Sequence, residues 1–320
     1  MPIFEAFDDE MDEVLERARS ADAGVRRVAM MSLAEAVEPE AVELLIAGTR
    51  DTDAAVREAA CKALDEHAGT DVALALLAAL DDKEEPVRLA AAESLAEKKE
   101  PGSADALIAR AGEGSVFVRA AALRALREMQ VEAAMPVALA ALQDANLEVR
   151  REALGVLGWL KAEAALPALM VAANDTEPTV RRAVMAALVF VRPGTSGVPP
   201  LLAGLKDENW QVREEAAFSI GKARLPEATE PLIAAAGDEA WQVQAKAVNA
   251  LGKIKARSSV PVISGALDHA LSNVRKEAAA ALGEIADPAA IGALERAYDD
   301  PDPDVRKLVR WALDRCRTAA

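Results

Sequence analysis

The chain has 320 residues, a formal net charge of -16 and a pI near 4.7, and it is 52% hydrophobic but only 3% aromatic. Without a Lys/Arg surplus it is poorly suited to displacing counterions from phosphate backbones or to holding an anionic membrane, so neither nucleic acid nor membrane is expected as a partner. No apolar run is long enough to span a bilayer, and the opening MPIFEAFDDEMDE lacks the basic-then-apolar order of a signal peptide; with Cys61 and Cys316 read as distant free thiols, a cytoplasmic monomer is expected.

Residues 1–10 come first, and Ile3, Phe4 and Phe7 are expected to fold as a cap over the open end of repeat 1. From there a Val-Arg pair recurs in phase, from Val25-Arg26 and Val56-Arg57 through to Val305-Arg306, with Val243-Gln244 as its one variant. Every interval is 31 residues except the 32 between Val180 and Val212. Ten such units cannot arise by chance, and a fixed period of this length is the signature of a stacked array. The boundaries are repeats 1–6 in 11–193 and repeats 7–10 in 194–320, one solenoid over 1–320. The extra residue falls in the Pro/Gly-rich connector 192–200, a place for a change of superhelical twist, read either as a hinge or, in preference, as a slightly longer ordered loop.

Each unit reads as two helices. In repeat 9, VPVISGAL is followed by the polar turn DHALS and then NVRKEAAAALGEI, which sets Val274, Ala278, Ala281, Leu282 and Ile285 on one face. Three residues before the Val stand Asp22, Asp53, Ser115, Asn146, Asn209 and Asp302, side chains that cap a helix N-terminus. Pro86 and Pro178 fall just inside helix starts, where no backbone N–H is needed.

Five residues before the Val sits an acid, except at Ser20 and His269. Repeat 1 has no preceding Arg, and His269 follows the repeat whose Arg is Gln244. Both exceptions follow if each Arg pairs with the acid of the next repeat: Arg57 with Asp82, Arg88 with Glu113, Arg119 with Asp144, and onward. The planar guanidinium fork suits a carboxylate. Arg306 has no later acid and falls outside this rule.

The unit VRxxAAxALGxI, clearest from Val274 to Ile285 and from Val212 to Ile220, resembles the HEAT-like repeats of the phycobilin lyase family. The resemblance covers nearly the whole chain. It implies an all-α, right-handed α-α superhelix of ten two-helix repeats, with second helices lining a concave groove. For function it implies less, because that family includes bilin lyases, phycobilisome-degradation factors and many bacterial proteins without an assigned role. Deoxyhypusine hydroxylase looks similar in architecture, but its metal-binding His-Glu dipeptides are missing here; the two histidines are His67 and His269. HEAT-like DNA glycosylases have a basic groove, which an acidic chain does not offer.

Ten copies supply an internal control for locating a site. Ten residues after the Val the series runs Glu35, Glu66, Glu97, Glu128, Trp159, Phe190, Lys222, Lys253, Glu284, Arg315. Eight of these are charged, so the position is normally wet, and Trp159 and Phe190 stand out. Six after the Val, Gly155 and Ala186 would leave space beside them and Phe218 would close the far side, giving an apolar pocket edged by Lys222, Lys246 and Lys253. The aromatics are read as binding anchors or as filling for a local core void; the charged character of matched positions favours anchors. Two before the Val, Trp210 and Trp241 form a second strip, either a contact ridge or a shield for the ends of first helices.

No nucleophile motif, phosphate loop, dinucleotide fingerprint or metal spacing is present, and no cofactor or catalytic residue is expected. The function expected is a non-catalytic scaffold that holds a protein partner in its groove, acting in assembly or maturation. The alternative, carried by the resemblance alone, is a bilin lyase or chromophore-handling protein.

Overall fold

A computed structural model describes residues 13–161 and 163–319; the cap expected from Ile3, Phe4 and Phe7 lies outside the described residues. Among the described residues every regular element is helical, as the repeat pattern predicts. In repeat 9 the first helix is Val260–Ala266 and the second Ser272–Ile285. Val274, Ala278, Ala281 and Leu282 are buried there, forming the apolar stripe that gives an amphipathic helix its packing face. All six expected cap residues accept a backbone N–H of the following turn: Asp22, Asp53, Ser115, Asn146, Asn209 and Asp302. An element not foreseen is a short 3-10 turn ahead of most first helices, such as Arg257–Ser259.

Contacts divide the chain into two compact units, Met1–Leu160 and Lys161–Ala320. Within each, second helices stack on second helices, as Val116–Met129 does on Leu147–Leu160 and Trp210–Ala223 on Trp241–Ile254. Small residues set the spacing. A Cβ at Gly221 would lie 2.9 Å from Ala250 Cα, and one at Gly252 would lie 2.7 Å from Ala281 Cα, so glycine is what allows these helices to approach. The connector at 192–200 lies inside the second unit. Residues 192–197 form a loop, with Gly194 at φ 77° donating its N–H to Glu227 Oε1 at 2.6 Å, and residues 198–200 already begin the helix Val198–Gly204.

Eight of the second helices end in one of two ways, and Glu85–Ala96 and Pro303–Thr318 follow neither. In repeats 4, 5, 7, 8 and 9 they run 14 residues and stop at a left-handed residue twelve after the Val: Gln130, Lys161, Arg224, Lys255 and Ala286. In repeats 1, 2 and 6 the helix stops earlier and tightens into a 3-10 turn, Leu33–Glu35, Leu64–Glu66 and Leu188–Phe190.

The expected ladder is present. Arg57 grips Asp82 with Nε at 2.6 Å and Nη2 at 2.9 Å, and the same two-pronged contact joins Arg26 to Asp51, Arg119 to Asp144, Arg181 to Asp207, Arg213 to Asp238 and Arg275 to Asp300. One expected rung fails. Arg88 and Glu113 form no ion pair among the described residues; Arg88 lies instead over the Phe117 ring, 5.9 Å from its centroid, and Glu113 is exposed.

The Arg has a second arm that the sequence does not reveal. Its Nη1 donates to backbone carbonyls of its own inter-helix turn, as Arg57 does to Asp51 and Thr52 and Arg306 does to Asp300 and Pro301. Arg306 is thereby accounted for, since it ties its own turn without needing a later acid. The acid is double too: Asp82 Oδ1 accepts the N–H of Glu84, and the same turn forms at Asp51, Asp207, Asp238 and Asp300. Ser20 Oγ and His269 Nδ1 accept at the equivalent point, from Asp22 and Leu271. The two exceptional residues have lost the rung and kept the turn.

Arg57 and Asp82 side chains are 8% and 11% exposed, so removing one charge strands the other in a nearly closed setting. Asp82→Asn is expected to cost about 3 kcal/mol in urea unfolding, whereas Glu113→Gln should cost no more than about 0.5 kcal/mol. Installing the missing rung with Gln244→Arg and His269→Asp should give a favourable coupling of about 1–2 kcal/mol in a double-mutant cycle. The Arg hydrogen bond holds the Asp51, Asp82 and Asp300 carboxyls below their ordinary range; for Asp207 and Asp238 burial pushes upward but Arg181 and Arg213 prevail. Rung stabilisation is therefore complete above the ordinary carboxylate pKa of about 3.9 and lost as pH falls through the depressed folded values. Unfolding measured between about pH 5 and pH 2 should fall less steeply for Asp238→Asn than for the unsubstituted chain.

Candidate functional site

The stacked second helices carry positions three, six and ten after the Val on one side of each helix. In the first unit Trp159, next to last in the helix Leu147–Leu160, is 49% exposed. A ring filling a core void would be covered, so exposure favours the anchor. The space expected beside it at Gly155 is occupied: a Cβ there would meet Arg127 Cδ at 3.0 Å. Arg127 is drawn in by Glu152, whose side chain is only 5% exposed and is held by Arg127 at 3.3 Å and Arg124 at 3.1 Å. Gly155 thus makes room for an ion-pair cluster, which corrects its assignment to an open pocket. Glu152 does not stand out in the sequence, because its row carries Ala59, Ala90, Ala121 and Ala183 but also Glu215 and Glu277.

The same unit holds a groove of about 400 Å³ between the second helices of repeats 1 and 2, lined by Met31, Glu35, Glu58, Lys62 and Glu66 among others. Its charges are mixed and Lys62 is already paired with Glu58 at 2.6 Å. Lys98 is another residue that sequence reasoning missed. It stands in a row otherwise held by Ala36, His67, Leu160, Ile254 and similar residues. Its buried ammonium donates to the Asp65 carbonyl, and burial pushes its pKa down.

In the second unit Phe190 closes the 3-10 turn Leu188–Phe190 and is half-buried. It shares a sequence row with Trp159 but not a local conformation. Ala186 is exposed. Phe218, in Trp210–Ala223, is half-buried and ringed by cations: Lys222 Nζ lies 5.8 Å, Lys246 Nζ 5.6 Å and Lys253 Nζ 5.8 Å from its centroid. Burial and then the Lys222 charge hold the Lys253 pKa below the ordinary lysine range. Phe218, Lys222 and Lys253 are therefore brought together as expected. Trp210 and Trp241 open their helices, each 37% exposed. Twelve residues of helix put Trp210 about 18 Å along the axis from Lys222, so the tryptophans form a separate ridge. Trp311 packs over Gly283, with Arg315 stacked 5.8 Å from its ring.

Among the described residues no group of three His, Cys, Asp or Glu could hold a metal ion. The Cys61 thiol is buried and pushed up to about 12, which leaves it protonated and unreactive. His67 is half-buried, its Nε2 3.4 Å from the Leu33 carbonyl. No helix of the described residues is long and apolar enough to cross a membrane.

The family described as HEAT repeats matches the chain at residues 11–96, 51–126, 72–145, 104–189, 198–270 and 229–314. No curated protein sequence matches. Among solved structures, an engineered protein is similar at 21% identity and a TM-score of 0.51, covering 96% of this chain and 98% of that one. The Escherichia coli protein YibA is similar at 19% identity and 0.55, covering 93% and 98%. Yeast importin-β, Kap95p, is similar at 14% identity and 0.68, covering 100% of this chain and 52% of Kap95p, so the chain spans about half of that protein's length. At these identities the likeness is one of fold.

Proposed function

The chain belongs to the HEAT-repeat family, and on that premise we propose that it is a non-catalytic scaffold holding a protein partner on the face of its second helices, as a monomer in the cytoplasm, in the assembly or maturation of a client complex. The carrying observation is the half-exposed Trp159 at a position charged in eight of ten repeats. An exposed large aromatic on a polar face is the kind of residue that dominates interface energies. Phe190, Phe218, Lys222, Lys253 and the Trp210–Trp241 ridge extend the set of contacts, while Gly155 acts by seating Arg127. Support also comes from architecture: stacked repeats present long continuous surfaces, and Kap95, which shares the fold, is known in a complex with Nup1.

The finer alternative is bilin handling, supported by the likeness of the VRxxAAxALGxI unit to phycobilin lyase repeats. A bilin-dependent absorbance band on mixing would favour it over the scaffold.

Trp159→Ala should reduce capture of the partner from native cell extract at least about tenfold, the loss typical of a central aromatic anchor. Its melting temperature should stay within a few degrees of the unsubstituted chain, about what a loss of 1 kcal/mol produces. A large drop in melting temperature with capture intact would assign Trp159 to packing instead.

A further inference from the structure

The three lysines around Phe218 are an anomaly in a chain of net charge -16. Lys222 lies one turn along the same helix, and Lys246 and Lys253 come from the next repeat, two turns apart on its second helix. Each ammonium gains from the ring face, but all three within 6 Å of one centroid repel one another. Packing alone would be expected to place a carboxylate among them. Among the described residues none of the three forms an ion pair, although acids abound elsewhere on the surface. The acids flanking them are engaged: Glu215 receives Arg182 at 3.2 Å, and Glu277 receives the Asn249 amide at 2.7 Å. Burial and then the Lys222 charge lower the Lys253 pKa, Glu277 opposes them, and Lys246 and Arg224 add to the lowering. Helix C-termini favour cations, which accounts for Lys222 and Lys253 but not for Lys246, which sits mid-helix.

An anion brought from outside would complete this cluster, and the half-buried Phe218 gives it an apolar floor. The chemistry favours a short acidic stretch of polypeptide. An extended polyanion such as nucleic acid would run from the three lysines onto Glu215, Glu277 and Glu284, where it would be repelled.

We propose that Phe218 with Lys222, Lys246 and Lys253 is the docking site for an acidic segment of the partner protein, an Asp or Glu carboxylate seated among the ammoniums and a neighbouring apolar side chain on the ring. This rests on the scaffold reading and gives its partner a chemistry.

The test is calorimetric titration of the full chain with an acetylated, amidated pentapeptide, Glu-Glu-Leu-Glu-Asp. Binding should be detectable below about 1 mM peptide and should weaken at least about threefold between about 50 and 300 mM salt. The triple variant Lys222→Gln/Lys246→Gln/Lys253→Gln should lose at least about tenfold in affinity, with a melting temperature that is unchanged or raised, since repulsion is relieved. Lys206→Gln/Lys307→Gln, which removes exposed charge elsewhere, should bind within about twofold of the unsubstituted chain. Phe218→Leu should weaken the peptide while leaving its salt dependence in place. No binding at about 1 mM, equal binding by the triple variant, or tighter binding of a single-stranded oligonucleotide than of the peptide overturns the proposal. Peptide binding that fails while Trp159→Ala still abolishes partner capture leaves the scaffold standing and removes only the acidic segment. Peptide binding that succeeds while Trp159→Ala captures normally keeps the acidic segment and removes only Trp159 as an anchor.

Discussion

Two adjacent repeats are joined by one guanidinium. Its Nε and Nη2 face the next repeat's carboxylate, its Nη1 faces the carbonyls of its own turn, and the carboxylate in turn fixes the turn after it. A single Arg-Asp pair therefore sets the shape of two inter-helix turns and the register between them. The helix faces could slide along one another on a smooth alanine-rich surface; a bidentate contact with fixed geometry does not allow that. Everything on the second-helix face inherits its position from this spacing, including the meeting of Phe218 with lysines from the following repeat.

Much of this organisation was legible because ten copies of one unit make position-by-position comparison possible. The period, the caps and the direction of the Arg-acid pairing all came from recurrence, and the pairing came from Ser20 and His269, where recurrence breaks. What stayed hidden was backbone. The Nη1 arm bonds to carbonyls, which every residue has, so no side-chain pattern announces it, and Arg306 looked superfluous for that reason. The failed rung at Arg88 was hidden by class: Glu113 counts as an acid in a pattern, but Arg88 has gone to Phe117 instead.

The site was less legible than the scaffold. Gly155 looked like empty space because glycine has no side chain, yet the volume belongs to Arg127, drawn there by the nearly buried Glu152. Trp159 and Phe190 share a row in sequence, but one second helix runs on to Leu160 while the other tightens at Leu188, so equal numbering does not mean equal geometry. The charge series did identify Lys222 and Lys253. Their convergence with Lys246 on one ring needed the packing of two helices that glycine brings together at Gly221.

Among the described residues, two joints in the array carry no carboxylate rung, between repeats 3 and 4 and between repeats 8 and 9. The first has Arg88 on the face of Phe117, and the second has Gly252 against Ala281 with Gln244 bonded only within its own repeat. Neither an aromatic face nor a glycine contact takes up a proton in the range where aspartates do. On acidification the rungs at Asp51, Asp82, Asp207, Asp238 and Asp300 let go, while these two junctions keep what they have. Acid should therefore loosen the array unevenly, with the joints between repeats 3 and 4 and between repeats 8 and 9 keeping the strength they have at neutral pH.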